Sequence, residues 1–151
     1  MNKVAFLKNK NRNDSISIGA SVIIDELKRN GIAVDICDYK TAFEYKLVLV
    51  SMTATEDIFD LYGNMHRAGW ERRTFTAMVG GFGCQNPWGL EAFVDYAWFG
   101  RADGLITEAV NLLLTGKDLT TCVNFACVSR LSEPRRVQLR QVSELYGEHL
   151  S

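Results

Sequence analysis

The sequence is poor in the side chains that most often carry chemistry at neutral pH. It has only two histidines, His66 and His149, and neither has an evident serine or cysteine partner. A G-x-S-x-G elbow is also missing, so nucleophilic hydrolysis is poorly supported. The four cysteines, at positions 37, 84, 122 and 127, form no C-x-x-C pair. Scattered in this way, they are expected to be reduced thiols that pack like small hydrophobes. An excess of charge of either sign is absent too. Seventeen Lys and Arg face eighteen Asp and Glu, for a net charge of -1. That balance gives no general attraction for nucleic acid or anionic lipid. Long apolar runs are lacking: the amino-terminal MNKVAFLKNKNRND holds only the short run VAFL. This is too little for a secretory h-region, and no later run approaches a membrane span. A cytoplasmic protein without membrane contact is the expectation, with self-association left open.

What remains is an ordinary globular composition. With 151 residues, 47% apolar and 23% charged, the chain is long enough to bury a real core. The stretch 78–104, MVGGFGCQNPWGLEAFVDYAWFGRADG, is the most informative. An apolar run ends in Gly80-Gly81, a polar turn leads into a short helical stretch, and a second run, 94–99, ends in Gly100. Strands that finish in glycine suit an open α/β sheet, whose ligands sit beyond the carboxyl ends of its strands.

The rest of the chain fits that plan. Residues 3–8, 32–37 and 46–52 read as the first three strands, and KLVLVSM at the third suggests burial on both faces. Asp14 or Ser15 is a cap for a helix with Ile16, Val22, Ile23, Ile24 and Leu27 on its apolar face. Asn30-Gly31 ends it in the left-handed manner. Thr53 or Thr55 is the expected cap of a second helix, through Ile58, Phe59, Leu61 and Met65 to Ala68-Gly69. Strands at 75–79 and 94–99 and a helix over 103–114, stopped by Gly116, complete the alternation. Alternating strands and helices with short connections imply a right-handed, doubly wound parallel sheet, flavodoxin-like or Rossmann-like. Five strands in the order 2-1-3-4-5 are expected. Residues 122–129 are strand-like, 135–145 read as a strand or an amphipathic helix, and 131–136 is the one linker candidate. The α/β domain is therefore placed at 1–130, with a C-terminal extension at 131–151.

The carboxyl-end loops would then bring together Asn9, Asn11, Asn13 and Ser15 with Ser51, Thr53 and Thr55. Gly81, Gly83, Gln85 and Asn86 join them, as do Arg101 and Asp103. Small hydroxyl and amide groups with glycine amides suit a large polar cofactor or nucleotide more than acid–base chemistry. The same residue types are also ordinary turn and cap formers. Lys8, Lys10 and Arg12 could receive phosphate, but the first loop lacks the glycines of a P-loop or a dinucleotide fingerprint. Cys84, in the glycine-rich turn, is either an exposed thiol near a helix start or an inert buried one.

These pieces, in this order, resemble the N-terminal cobalamin-binding domain of many radical S-adenosylmethionine enzymes. In that family the third strand ends in a Ser/Thr-rich turn, here Ser51-Met52-Thr53-Ala54-Thr55. The fourth ends in V-G-G, here Val79-Gly80-Gly81-Phe82-Gly83, followed by Pro87. A V-D-Y strand leading to G-E-G-E corresponds to Val94-Asp95-Tyr96 and Gly100-Arg101-Ala102-Asp103. A helix ending in glycine corresponds to Leu114-Thr115-Gly116-Lys117-Asp118-Leu119. The likeness spans residues 3–130. It implies a Rossmann-like domain holding cobalamin without a histidine ligand to cobalt. Ser51, Thr53 and Thr55 would line the nucleotide tail, with Gly80, Gly81, Gly83 and Gly100 leaving backbone room. Cobalamin proteins that use a histidine carry D-x-H-x-x-G after the first strand. The N-x-H-x-x-G at His66 falls near a helix end instead, where the helix dipole favours a cation.

Two features depart from the family. Arg101 replaces a glutamate, and the C-x-x-x-C-x-x-C of the iron–sulfur barrel is absent. The expectation is a stand-alone cobalamin-domain-like module, not catalytic by itself, serving a radical S-adenosylmethionine barrel on a separate polypeptide. The segment after residue 130 would dock it. The alternative is a binding or regulatory module that has lost cobalamin and holds a nucleotide or a partner protein. An independent small-molecule enzyme is the third reading, and it lacks a recognisable catalytic set.

Overall fold

Six strands form one sheet. They are β1 (Val4–Leu7), β2 (Val34–Cys37), β3 (Leu47–Ser51), β4 (Thr76–Gly80), β5 (Tyr96–Trp98) and β6 (Val128–Arg130). The computed structural model describes residues 3–8, 18–81 and 83–132. The sheet order is β2-β1-β3-β4-β5-β6. The first five strands are parallel, in the expected flavodoxin-like order, and β6 is antiparallel to β5. The expected cap at Asp14 or Ser15, Ile16, the first-loop residues 9–15, Phe82, the segment 135–145 and His149 lie outside the described residues.

Strand alternation divides the core in two, because successive side chains leave opposite faces of a sheet. On one face Ala5, Leu7, Val48, Val50, Ala77 and Val79 join Leu61 and Met65 of α2 (Asp57–Arg67). Trp70, Phe75 and Phe93 complete that layer, and the Trp70 indole donates to the Tyr39 carbonyl at 2.8 Å. On the other face Val4, Phe6, Leu47, Leu49, Met78, Tyr96 and Trp98 meet two helices. These are α1 (Ile18–Arg29), which contributes Ala20 and Leu27, and α3 (Ile106–Leu114), which contributes Ala109, Val110 and Leu113. With both faces covered, β3 can be the apolar LVLVS that it is. α1 ends at Gly31, whose φ of 81° is the left-handed turn expected there.

Three local expectations change. Residues 122–129 are not one strand: a 3-10 turn (Val123–Phe125) precedes β6. Val123 faces solvent there, while Phe125 is buried edge-on against Trp98, with ring centroids 5.8 Å apart. One side chain out and the next-but-one in, over a turn this tight, prevents an extended run. α3 begins at Ile106 rather than 103, since Gly104 takes a φ of 87°, outside the right-handed helical region. Leu131 follows β6 fully buried, its amide donating to the Asp95 carbonyl at 3.0 Å.

Asp95 also holds the start of β5. It accepts from the Arg73 guanidinium at 2.6 and 3.2 Å and from the Ala77 amide at 2.9 Å. At that same sheet edge, remote from the carboxyl ends, Arg130 reaches Asp118 and the Tyr96 hydroxyl. Both clusters serve the sheet's construction.

Candidate functional site

A cleft of about 980 Å³ reaches the carboxyl ends of the parallel strands. Its inner wall is apolar: Phe6, Leu49, Met78 and Trp98 from β1, β3, β4 and β5, opposed by Ala20, Ile23 and Ile106 from α1 and α3. Gly19 also lines it, and among the described residues a β-carbon at Gly19 would meet nothing within 4 Å. The mouth is polar and glycine-rich, formed by Ser51, Thr53, Gly80, Gly81, Gln85, Gly100, Arg101 and Asp103. An apolar interior with few polar groups at the entrance is the usual make-up of a small-molecule site, and this volume is at the upper end of the usual range.

Of the residues expected to meet a cofactor, Ser51, Thr53, Gly80, Gly81 and Gly100 come together around this cleft, whereas Thr55 and Gly83 are outside its described lining. Thr55 lies in the turn into α2, where its carbonyl accepts from the Ile58 amide at 3.3 Å. The inner wall was not foreseen. Its signal is the alternate apolar positions of four neighbouring strands, which become a surface only once the strand order is known.

The two loops that form the mouth are tied to each other. The Met52 amide donates to the Gly80 carbonyl at 2.7 Å, and the Gly83 amide donates to the Met52 carbonyl at 2.7 Å. The β3–β4 ladder thus continues past Ser51 and Gly80, its last strand pair. This tight approach explains two glycines without any ligand. A β-carbon on Gly81 would stand 2.4 Å from the Met52 oxygen, and one on Gly83 would stand 2.4 Å from the Ala54 oxygen. Gly80 is different: a β-carbon there would make ordinary contact with Trp98, at 3.4 Å. Gly100 takes a φ of 86°, a conformation that favours glycine.

Asp57, in the first turn of α2, sets the position of Thr53. One of its carboxylate oxygens accepts from the Thr53 amide, the Thr53 hydroxyl and the Ala54 amide, each at 3.0 Å. The expected threonine cap is therefore inverted: a buried acid inside the helix holds the loop before it. The Thr53 proton is committed to Asp57, so its oxygen faces any ligand as an acceptor.

Electrostatics at the mouth are local. Arg101 and Asp103 form a two-pronged pair, with Nε–Oδ1 and Nη2–Oδ2 both at 3.1 Å. The Trp98 indole donates to the Arg101 carbonyl at 3.2 Å, fixing the loop against the cleft floor. Glu26 of α1 accepts from the Gly104 amide at 2.7 Å and so ties α1 to the segment before α3.

Cys84 is the inert alternative. It is 1% exposed, and burial pushes its thiol up to about 12. His66 lies at the end of α2, paired with Glu71 at 3.0 Å and stacked on Tyr62. That helix covers the sheet face opposite the inner wall of the cleft. Among the described residues no group of three or more His, Cys, Asp or Glu is placed to hold a metal ion, and no helix is long and apolar enough to cross a membrane.

No protein-family model and no curated protein matches this chain. Two solved structures of a radical S-adenosylmethionine methyltransferase, TsrM from Kitasatospora setae, are similar to it. The one with tryptophan substrate and a SAM analog (aza-SAM) superposes with a TM-score of 0.62 at 16% identity, over 86% of this chain and 28% of that one. The one with cobalamin and an iron–sulfur (4Fe-4S) cluster bound gives 0.61 at 18% identity, over 86% and 29%. The chain thus spans less than a third of the methyltransferase's length, and at these identities the likeness is one of fold.

Proposed function

We propose that this chain is a cobalamin-domain-like module whose cleft receives the nucleotide tail of the cofactor. The cleft itself carries the reading. It joins an apolar wall, fit for an aromatic base, to a mouth of hydroxyl, carboxamide and glycine groups fit for a polar periphery. The fold that builds it also occurs within a methyltransferase solved with cobalamin bound, over 29% of that chain. Ser51, Thr53 and Gly80 would hold the tail, with Gly100 giving the turn beside it, and no protein side chain would ligate cobalt. Cobalamin, when bound, supplies a cobalt centre for group or electron transfer. The chain's own residues bind and orient it and shield the tail from water.

A radical S-adenosylmethionine barrel on a separate polypeptide is the partner this reading implies, with the C-terminal extension beyond the buried Leu131 as its docking element. Purification with hydroxocobalamin, followed by gel filtration and a visible spectrum, tests the cofactor assignment. A base-off corrinoid spectrum that travels with the protein supports it, and a colourless protein sinks it. His66→Ala should leave the uptake unchanged, since His66 is on the helix covering the other sheet face. A colourless protein that captures a nucleotide would instead favour the alternative, a module that has kept the fold and lost cobalamin.

A further inference from the structure

We propose that Arg101 is the anion-receiving arm of the cleft, and that the ligand carries a phosphate beside its aromatic base. This rests on the cleft being the ligand site, and it sharpens the class of molecule that enters. Among the described lining residues Arg101 is the one cation, and Asp103 the one anion. Their pair is exposed, the arginine side chain at 89% and the aspartate at 41%. An exposed pair contributes little to stability, so the guanidinium can exchange Asp103 for another anion at low cost. A phosphate accepts two parallel bonds from a guanidinium in the same way a carboxylate does.

The loop is built to allow that exchange. The Trp98–Arg101 hydrogen bond fixes the backbone of Arg101 at the cleft floor, leaving only the side chain to turn. Before α3, the Gly104 amide is already engaged, donating to Glu26. Among the described lining residues, the side chain that can meet an anion at the mouth is therefore Arg101. An aromatic group attached to it would reach Phe6, Met78 and Trp98 in the apolar interior. A base linked to a ribose phosphate has this chemistry, whether it is the tail of cobalamin or a free nucleotide.

Equilibrium dialysis with four probes separates these sources: hydroxocobalamin, dicyanocobinamide (the corrin without base and phosphate), AMP and adenosine. The wild-type protein should bind at least one phosphate-bearing probe more tightly than its phosphate-free counterpart. Arg101→Glu should weaken that probe by about tenfold or more, while Asp103→Asn, which removes the competing anion, should tighten it. Both positions are at the surface, so folding is preserved. If cobalamin binds equally to wild type and Arg101→Glu, the cofactor assignment stands and the role of Arg101 falls. If cobalamin fails but AMP binds in an Arg101-dependent way, the reverse holds. If no probe binds, both are overturned.

Discussion

The Met52 carbonyl oxygen lies 2.4 Å from where a β-carbon on Gly81 would stand. Gly81 has a φ of 110°, so two separate constraints exclude a side chain, one from its own backbone and one from the neighbouring loop. Gly81→Ala should therefore destabilise the protein by roughly 1–3 kcal/mol, with or without ligand, read as a lower urea midpoint. An unchanged midpoint would mean that the loops after β3 and β4 are not locked together. A bulky residue at Gly81 is consequently a poor probe of cofactor binding, because the loop is lost along with the pocket.

The sheet was legible because its signals are local. LVLVS in β3 marks a strand covered on both faces, as in a parallel sheet, and Asn30-Gly31 closes α1 within the chain's own next turn. The clustering of Ser51, Thr53, Gly80, Gly81 and Gly100 follows from strand order alone, as all five end strands or begin the following loops. What escaped sequence reading is non-local. The reason for Gly83 is the Ala54 carbonyl, and the cleft's inner wall needs Phe6, Leu49, Met78 and Trp98 to share one face. Cys84 stayed open between exposed and buried because the turn that hides it is set by the Met52 hydrogen bonds.

Asp57 should matter through Thr53. Asp57→Ala removes the acceptor from two amides and a hydroxyl. The loss should be about 1–2 kcal/mol, the size of a lost helix cap, because water can reach Thr53 and partly replace the acid. Hydrogen exchange at the Thr53 and Ala54 amides should speed up more than at the β3 amides. Equal acceleration throughout would show that Asp57 supports the whole fold and not this loop.

Cys37 and Cys84 should be silent toward Ellman's reagent in the native protein and react on unfolding. Burial pushes both thiols from an ordinary 9.0 up to about 12. The sign for stability follows from proton linkage. Above pH 9.0 the unfolded chain gives up these protons while the native state keeps them, so unfolding becomes more favourable as pH rises. Their contribution is complete below that point and fades towards pH 12. A urea midpoint near pH 10 should lie below that at pH 8, and Cys84→Ala should reduce the difference. A midpoint that rises over this range would contradict the burial of these thiols.

Gly19 offers the clean test of the cleft. It lies in the first turn of α1, lines the cavity, and among the described residues has open space where a side chain would begin. Gly19→Leu relieves the conformational cost of glycine in a helix, so stability should hold or rise by about 0.5–1 kcal/mol. The new side chain would compete with a ligand for the cavity that Gly19, Phe6 and Trp98 line. Corrinoid or nucleotide uptake should then fall by tenfold or more while the urea midpoint stays put. Separation of the two effects is the point, since Gly81 cannot provide it. Full uptake by a stable Gly19→Leu protein would move the binding site away from this cleft.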